Sequence, residues 1–493
     1  MRTACEHVLS RGGHVPWFSV DWSPLVKPEI AANSAIPVFN PGLLQHHLRD
    51  EDRVRVTSAP PGKVAAVLPE PRLEQLLHAP SLSSGPGHYA RPVISREAWC
   101  LPEHGGSSFD LLPATVRQAL TGRGGGLDLG ALAGTYERVL FVYFDAFGWR
   151  TCQRHSSHPL VAHADRHGLV RRLTSQFPST TAAHVTTIHG GGPVGVHGVY
   201  EWFVYEPKLD RIIAPLLHSY ADDRERDTLL ASGLTAGDIY PVGNLYPELR
   251  AAGVPSHATL PAEIAGSTSS RILFHGANVH PCATPAQGLA RLVVALAQPG
   301  YGFAYLPDVD SAMHRLGPDH PDVERLVDEH LDALYDALVD GPIPAGTLVL
   351  ITADHGMDAI DPSTTVFVNR LWPELATHLK TGADGRPLAP AGSCRDLFLH
   401  TRDGHREHVR ARLQELLAGK AEVHAVDELI AQGVFGPEVT ERLLHRVADL
   451  VVLPYAGESV FWSEPGRFEQ PYFGQHGGLT PGEIEIPLLA FVT

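Results

Sequence analysis

The chain has 493 residues, of which 43% are hydrophobic and 19% are charged, and this composition excludes an intrinsically disordered protein. A formal net charge of −16 excludes the basic footprint that long DNA or RNA requires. A small phosphorylated substrate remains compatible with this charge where metal ions supply local positive charge.

The cysteines and the first residues of the chain indicate a cellular compartment. Five cysteines lie scattered along the chain without a Cys-x-x-Cys pair, which is typical of reduced thiols. Residues 1–7 are too polar for a signal peptide, and no apolar run is long enough to span a membrane. We therefore expect a cytoplasmic protein that binds no membrane. Its oligomeric state stays open, with a homodimer as one option.

The first 130 residues are rich in proline and carry no chemical motif. Their patterns predict short strands over residues 53–57 and 63–68 and short helices over 71–78 and 112–120. We expect residues 1–130 to form an N-terminal extension of unknown role.

A near-continuous apolar run over residues 138–144 is followed directly by Asp145. Such a run predicts a strand that is buried on both faces of a parallel sheet. Ligands of open α/β sheets bind at the carboxyl ends of the strands. Asp145 is therefore a candidate site residue, although an acid at this position also serves as an ordinary helix cap.

The next informative stretch, residues 177–184, places one proline and three hydroxyl residues before a predicted helix over residues 182–189. Hydroxyl residues at a helix start are ordinary N-caps. The free backbone N–H groups and the positive end of the helix dipole also make this position suitable for a phosphate-like anion. The stretch therefore predicts a helix cap that can also hold an anion.

Predicted strands and helices alternate over residues 131–493, for example in the helix over 321–340 and the strand over 347–352. Two irregular stretches, at about 199–290 and 363–470, interrupt this alternation and predict inserted caps. The pattern predicts an α/β fold, an α/β/α sandwich with a mostly parallel central sheet.

Acidic and imidazole side chains follow several of the predicted strands: Asp145, Asp310, His314, Asp354, His355 and His476. Asp354 and His355 are adjacent, so their side chains can diverge toward two different ions. Asp310 and His314 are four residues apart, so one helical turn brings both to one ion. Each pair alone is also consistent with a helix cap or a salt bridge. Together, carboxylate and imidazole ligands favour Zn²⁺, with manganese or iron as less common occupants.

The chain resembles the alkaline phosphatase superfamily, and most closely its type I phosphodiesterase/nucleotide pyrophosphatase branch. The resemblance covers about residues 135–493, in the family's own order. It rests on the strand that ends at Asp145 and on residues 177–198, 310–318, 352–357 and 476–477. It implies a two-metal phosphoric ester hydrolase that acts on a small phosphodiester or phosphoanhydride.

By position in these motifs, the resemblance implies one divalent ion on Asp310, His314 and His476. It implies a second ion on Asp145, Asp354, His355 and the hydroxyl of Thr181. Thr181, and not Thr180, occupies the family's nucleophile position. The resemblance therefore implies a phospho-threonine type intermediate on Thr181.

The chain departs from the family pattern beside this nucleophile. Where nucleotide pyrophosphatases usually carry an asparagine, this chain has Trp202, preceded by Glu201, and His184 replaces a second asparagine. An indole N–H donates a hydrogen bond but cannot accept one, and an ionised glutamate repels phosphate. We treat Trp202, Glu201 and His184 as candidate substrate-binding residues.

Two other functions remain open at this stage. A phosphomonoesterase or phosphonate hydrolase on the same scaffold usually needs a cation near the nucleophile. Only Arg171, Arg172 and Arg315 lie near these motifs in sequence. A non-catalytic, metal-binding regulatory protein is the alternative from another class.

Overall fold

The computed structural model describes residues 99–223, 225–240 and 244–493. The first three predicted elements, between residues 53 and 78, lie outside the described residues. Within the described ranges, no helix combines the length and the apolar composition that crossing a bilayer requires.

The described ranges contain strands β1 (Arg138–Phe144), β2 (Gly168–Thr174), β3 (Val204–Glu206), β4 (Arg211–Ala214), β5 (Ser219–Tyr220), β6 (Ser256–Pro261), β7 (Asn278–Cys282), β8 (Gly300–Leu306), β9 (Thr347–Thr352), β10 (Asp358–Ala359), β11 (Val366–Phe367), β12 (Leu397–Leu399), β13 (Ala421–Ala425), β14 (Leu450–Pro454), β15 (Val460–Phe461), β16 (Gly474–Gln475) and β17 (Glu485–Val492).

The helices of the same ranges are α1 (Leu112–Thr121), α2 (Trp149–Arg154), α3 (Pro159–His167), α4 (Thr181–Gly190), α5 (Val194–His197), α6 (Ala236–Ile239), α7 (Leu245–Ala251), α8 (Ala262–Ala265), α9 (Thr268–Leu273), α10 (Pro285–Ala295), α11 (Asp308–Leu316), α12 (Pro321–Leu338), α13 (Val368–Leu371), α14 (Leu375–His378), α15 (Arg406–Leu416), α16 (Val426–Ala431), α17 (Glu441–Leu444) and α18 (Pro481–Ile484).

A seven-stranded sheet with the order β2–β17–β9–β1–β8–β6–β7 forms the centre of the structure. Strand β17 runs antiparallel to both of its neighbours, and the pairs β9–β1, β1–β8, β8–β6 and β6–β7 are parallel. The predicted α/β fold with a mostly parallel central sheet is confirmed.

The middle strands form because their sequences are apolar along their whole length. Every residue of β9 is buried, and so is every residue of β1 after Arg138. A strand in the middle of a parallel sheet has helices on both faces, so it cannot use the apolar–polar alternation of a half-exposed strand. The predictions at residues 138–144 and 347–352 are confirmed.

The helix predicted over residues 182–189 is α4. Thr180 precedes it in an extended conformation, with φ −134° and ψ 145°, and takes the N-cap position. Gly191 ends the helix with a φ of +81°, a left-handed conformation that glycine adopts at little cost. Thr180 and Gly191 therefore flank α4 at its two ends, and the Thr180 side chain makes no capping hydrogen bond to the helix.

Two boundaries differ from the sequence-based expectation. Strands β6 and β7 lie within the predicted insertion at 199–290, yet both belong to the central sheet. Their sequences carry serine, histidine and proline, so the apolar run of a middle strand is absent. Residues 99–130 also pack on this sheet, since Phe109 contacts Tyr143 edge-to-face at 6.0 Å between ring centroids. Helix α1 confirms the prediction at 112–120.

The second predicted insertion, 363–470, contains small β-structures of its own. Strands β12, β14 and β13 form a three-stranded antiparallel sheet, and β11 pairs with β15. This region supplies Arg395, which is fully buried.

Arg395 connects this insertion to the elements beside the carboxyl edge of the central sheet. Its Nε and Nη2 donate to the two carboxylate oxygens of Glu483 at 2.9 and 3.0 Å, and Nη2 also donates to Asp358 Oδ2 at 3.1 Å. Its Nη1 donates to the carbonyl oxygen of Tyr455 at 2.9 Å. A buried guanidinium needs such partners because unpaired burial of a charge is very unfavourable.

Replacing Arg395 by methionine tests this connection. The substitution leaves the carboxylates of Glu483 and Asp358 buried without their cation. We expect the free energy of unfolding to fall by about 3–5 kcal/mol in urea titrations. Arg325, which pairs with Glu329 on the exposed face of α12, offers a control. Arg325→Met should leave the urea midpoint nearly unchanged, and equal midpoints for both variants would contradict the importance of Arg395.

Candidate active site

The carboxyl ends of three neighbouring strands bring three acidic residues together. Asp145 directly follows β1, Asp354 lies two residues after β9, and Asp310 lies in the first turn of α11 after β8. The registers of the β1–β9 and β1–β8 pairs place these strand ends at the same level. The structure therefore places the three carboxylates at the same edge of the sheet.

Thr181 is the first residue of α4, and its hydroxyl points toward this edge. The Oγ1 atom donates to Asp145 Oδ1 at 3.4 Å and lies 3.2 Å from His355 Nε2. The side chain of Thr180, in contrast, lies beside the carboxyl of Glu201. The two adjacent threonines thus have different environments, and only the Thr181 hydroxyl contacts the predicted metal ligands.

Asp145, Asp354 and His355 form the first of two ligand clusters. His355 Nε2 lies 3.2 Å from Asp354 Oδ2 and 3.5 Å from Asp145 Oδ1. All three side chains are buried. One oxygen or nitrogen of each lies within 4.8 Å of the others, which is close enough for one ion.

The second predicted ligand set is Asp310, His314 and His476, whereas the ligand atoms that lie within 4.8 Å of one another are those of Asp310, His355 and His476. We call Asp310, His314 and His476 the second cluster. Asp310 Oδ1 lies 3.4 Å from His314 Nε2 and 3.7 Å from His476 Nε2. His355 is close to this cluster as well, because its ring stacks on that of His476 with 3.6 Å between centroids. The two clusters are therefore adjacent, and His355 lies between them.

The three imidazoles are held in the same way. Each Nδ1 lies within hydrogen-bond distance of a backbone carbonyl oxygen, at 2.8 Å in His314, 2.9 Å in His355 and 2.8 Å in His476. If Nδ1–H donates there, Nε2 keeps its lone pair and faces the acids. Metal-binding histidines are commonly oriented by such a bond.

The charges of these clusters fit divalent cations. Asp310 Oδ1 and Asp354 Oδ2 are buried and have no hydrogen-bond partner among the described residues. Burial and the neighbouring carboxylates raise the pKa of Asp145 well above its ordinary value, and burial raises that of Asp310 to about 6. Burial also lowers the pKa of His355 and His476 well below the usual range, which keeps both rings neutral. Neutral imidazoles and crowded carboxylates suit metal ligation.

The tertiary structure adds Tyr305, which the sequence did not indicate. Its hydroxyl donates to Asp145 Oδ2 at 2.6 Å, on the oxygen that Thr181 does not contact. Tyr305 belongs to β8, one strand away from Asp145, and no local spacing connects the two. Only the pairing of β8 with β1 could have revealed it.

A cavity of about 590 Å³ opens beside Thr181. Glu201 and Trp202 line it together with Thr181, as do Asp145, Asp310, His314 and His476. Burial raises the pKa of Glu201 to about 8, so this carboxyl is largely protonated at neutral pH. A protonated carboxyl donates a hydrogen bond instead of repelling an anion. Glu201 and Trp202 therefore remain candidates for substrate binding.

The structure contradicts the prediction for His184. Its ring is fully buried, and its Nδ1 lies 2.8 Å from the carbonyl oxygen of Thr180. Its Nε2 lies 2.8 Å from Ser175 Oγ and accepts from Gln176 N–H at 2.9 Å. His184 does not line the cavity because it lies on the side of α4 that packs into the core.

The raised pKa of Asp310 predicts a pH dependence of the metal-free protein. Burial raises the pKa of Asp310 to about 6 in the folded protein, whereas the unfolded chain keeps the ordinary value of about 4. Raising the pH from 4 to above 6 therefore stabilises the unfolded chain relative to the folded protein, and unfolding becomes easier. We expect the chelator-treated protein to lose roughly 3 kcal/mol of stability between pH 4 and 7 from this group.

Thermal unfolding with and without added Zn²⁺ measures this effect. Asp310→Asn should flatten the pH dependence in chelator, and added Zn²⁺ should raise the melting temperature of the wild-type protein at pH 7 more than that of the variant. Asp328→Asn, on the surface of α12, serves as a control. Equal pH slopes for wild type and Asp310→Asn would contradict the prediction.

Comparisons with solved structures agree with the fold. At 17% identity, the fold matches murine ectonucleotide pyrophosphatase/phosphodiesterase 5 with a TM-score of 0.52, covering 72% of this chain and 87% of that one. It also matches phosphonoacetate hydrolase from Sinorhizobium meliloti 1021 at 17% identity with a TM-score of 0.51, covering 73% and 92%. No curated protein matches the sequence significantly.

The family comparison covers the whole site. The family model described as type I phosphodiesterase / nucleotide pyrophosphatase matches residues 139–478, more than two thirds of the chain. This range includes Thr181 and all the predicted metal ligands. The chain belongs to the type I phosphodiesterase/nucleotide pyrophosphatase family, a branch of the alkaline phosphatase superfamily of metal-dependent phosphoryl hydrolases.

Proposed function

We propose that the protein hydrolyses a small phosphodiester or phosphoanhydride through a phospho-threonine type intermediate on Thr181. The observation that carries this proposal is the position of the Thr181 hydroxyl. It lies at the start of α4, 3.4 Å from Asp145 and 3.2 Å from His355. A cytoplasmic location and the exclusion of nucleic acid polymers stay predictions.

Two divalent ions would be held by the two ligand clusters. Asp145, Asp354, His355 and Thr181 would hold one, and Asp310, His314 and His476 the other. The mixture of carboxylates and imidazoles suits Zn²⁺ best, with Mn²⁺ or iron as alternatives. When bound, such ions supply positive charge that lowers the pKa of an attacking oxygen and stabilises the oxygens on both sides of phosphorus.

The chain's own groups orient the reaction. The Thr181 oxygen attacks phosphorus and forms the Thr181–phosphorus bond as the bond to the leaving oxygen breaks, and the hydroxyl proton ends on that leaving oxygen. Water then attacks phosphorus on the side opposite Thr181 and breaks the Thr181–phosphorus bond. This second step releases a phosphate monoester from a diester substrate and returns a proton to Thr181. The backbone N–H groups in the first turn of α4 have no partners within the helix and can bind a phosphoryl oxygen.

The carboxyl of Glu201, beside the nucleophile, favours a phosphodiester substrate over a phosphomonoester. A monoester carries a second negative charge and usually needs an additional cation beside the nucleophile. Here the group beside Thr180 is the carboxyl of Glu201, whose pKa burial raises to about 8. It can donate one hydrogen bond to a singly charged phosphoryl group but adds no positive charge.

A phosphomonoesterase or phosphonate hydrolase is the second candidate, because Arg315 lines the same cavity. Arg171 and Arg172, in contrast, bond to the Asp128 carbonyl and to Glu485, away from the site. The two similar structures are consistent with both candidate functions, the phosphodiesterase and the phosphonate hydrolase. One is an inactive threonine-to-alanine variant of the murine phosphodiesterase in complex with AMP, and the other is a phosphonoacetate hydrolase.

Hydrolysis of matched substrates distinguishes these candidates. We expect the Zn²⁺-loaded protein to cleave bis(p-nitrophenyl) phosphate with a kcat/KM at least about tenfold above that for p-nitrophenyl phosphate, because Glu201 adds no positive charge for the monoester's second negative charge. Release of p-nitrophenolate and of phosphate from phosphonoacetate is measured in parallel. Preference for the monoester or for phosphonoacetate would favour the second candidate.

Replacing Thr181 by alanine tests the nucleophile. We expect kcat to fall by about 10³-fold or more, because the covalent step loses its oxygen, while Zn²⁺ content and melting temperature stay close to those of the wild type. Thr180→Ala is the matched control and should cost less than about tenfold. If both variants lose the same activity, or if Thr181→Ala keeps near-normal hydrolysis, the assignment is wrong.

A further inference from the structure

One face of helix α4 extends from the reacting hydroxyl into the cavity. Thr181, Val185 and His189 follow one another at intervals of four residues, and all three line the cavity. With a rise of 1.5 Å per residue, His189 lies about 12 Å along the helix from Thr181. The cavity therefore extends well past the position of a phosphoryl group.

The walls beyond Thr181 are predominantly apolar. They are formed by side chains from α4, from the turn before β5, from α8 and α9 and from β8, among them Val185, Leu217, Ile264, Leu273, Phe274 and Phe303. We call this part of the cavity the apolar chamber. Surfaces of this kind bind apolar ligand groups by removing them from water.

The serines of the chamber wall already have partners. Ser267 Oγ accepts from Ser270 N–H at 3.2 Å and caps α9, and Ser269 Oγ donates to the Leu216 carbonyl oxygen at 2.8 Å. These bonds occupy the hydroxyls within the wall itself. These serines therefore offer little to the several hydroxyls of a ribose, and the apolar side chains around them are better suited to an apolar group.

Two polar side chains with ionisable groups, Arg226 and His189, also line this wall. The more deeply buried of the two is His189. Its side chain is 1% exposed, and its ring packs against Phe274 and Phe303 with 4.1 and 4.7 Å between centroids. Its Nδ1 lies 2.9 Å from the Tyr246 hydroxyl, whereas its Nε2 has no partner among the described residues. A buried polar atom without a partner is unfavourable, so a ligand atom that bonds to it adds affinity.

We propose that the apolar chamber binds an apolar substituent of the substrate's phosphoryl group, about 10 Å long, with one hydrogen-bonding atom near its far end that pairs with His189 Nε2. This inference rests on the proposed function, because Thr181 marks the reacting end of the cavity. It defines the substrate as an ester of an extended apolar alcohol with a single polar end group. A nucleoside does not fit this description.

Alkylphosphonates test the chamber without requiring hydrolysis. Calorimetry on the Zn²⁺-loaded protein compares methyl-, butyl- and octylphosphonate. Each buried methylene should increase affinity about threefold, so octylphosphonate should bind at least about 10²-fold more tightly than methylphosphonate. Equal affinities, or no binding of octylphosphonate, would overturn the inference. Because no bond is cleaved, the proposed hydrolysis can fail while the chamber is confirmed, and the reverse also holds.

Val185→Trp tests the location of the binding site. The larger side chain should fill the chamber and reduce octylphosphonate affinity to nearly that of methylphosphonate, while methylphosphonate affinity changes less than about twofold. Val294, which is 76% exposed on α10, provides the matched control Val294→Trp, which should change neither affinity. Unchanged octylphosphonate binding in Val185→Trp would overturn the inference.

His189→Phe tests the polar contact at the far end. Octylphosphonate is compared with 7-hydroxyheptylphosphonate, which has the same length and a terminal hydroxyl. We expect the variant to bind the hydroxylated compound about fivefold to tenfold more weakly relative to octylphosphonate than the wild type does. Retained octylphosphonate affinity shows that the variant is folded. An unchanged ratio would overturn the role of His189, and Val185→Trp decides on the chamber if the variant does not fold.

Discussion

Three closely spaced carboxylates at one edge of a mostly parallel sheet are the constraint on which the site depends. Asp145, Asp310 and Asp354 are brought together because β8, β1 and β9 are neighbours and end at the same level. Their mutual repulsion and their burial raise the pKa of Asp145 and Asp310. Such a group needs compensating positive charge, and the neutral imidazoles around it leave that role to metal ions.

The rest of the structure holds this cluster in place from outside the central sheet. Arg395 bonds to Glu483 and Asp358, and Glu483 also accepts from Gly478 N–H at 3.0 Å. His476, two residues before Gly478, donates its Nδ1–H to the carbonyl oxygen of Ser179, which directly precedes Thr180 and Thr181. The insertion that carries Arg395 is thus connected by hydrogen bonds to the loop that supplies a predicted metal ligand.

Much of the architecture could be predicted because its signals are local. The apolar run before Asp145 identified a middle strand, and the hydroxyl residues before the helix at 182–189 identified the start of α4. Strands β6 and β7, at one end of the central sheet, were missed because their sequences contain serine, histidine and proline and lack that run. The substrate-binding prediction for His184 failed for a different reason. Its position three residues after Thr181 places it toward the core, while Val185 and His189 face the cavity.

The sequence by itself determined the family, the positions along the chain of the strands that precede the acids, and the types of ligand that the site would contain. These follow from short motifs whose residues are neighbours in the chain. Only the tertiary structure decided which side chains are in contact. Tyr305 donates to Asp145, Glu201 lies beside Thr180, and Arg395 donates to Glu483. The apolar chamber beyond Thr181 also exists only in the folded chain. Most of these contacts join residues that are far apart in sequence, and burial sets their charges. Neither the partner of a side chain nor its burial can be read from local spacing.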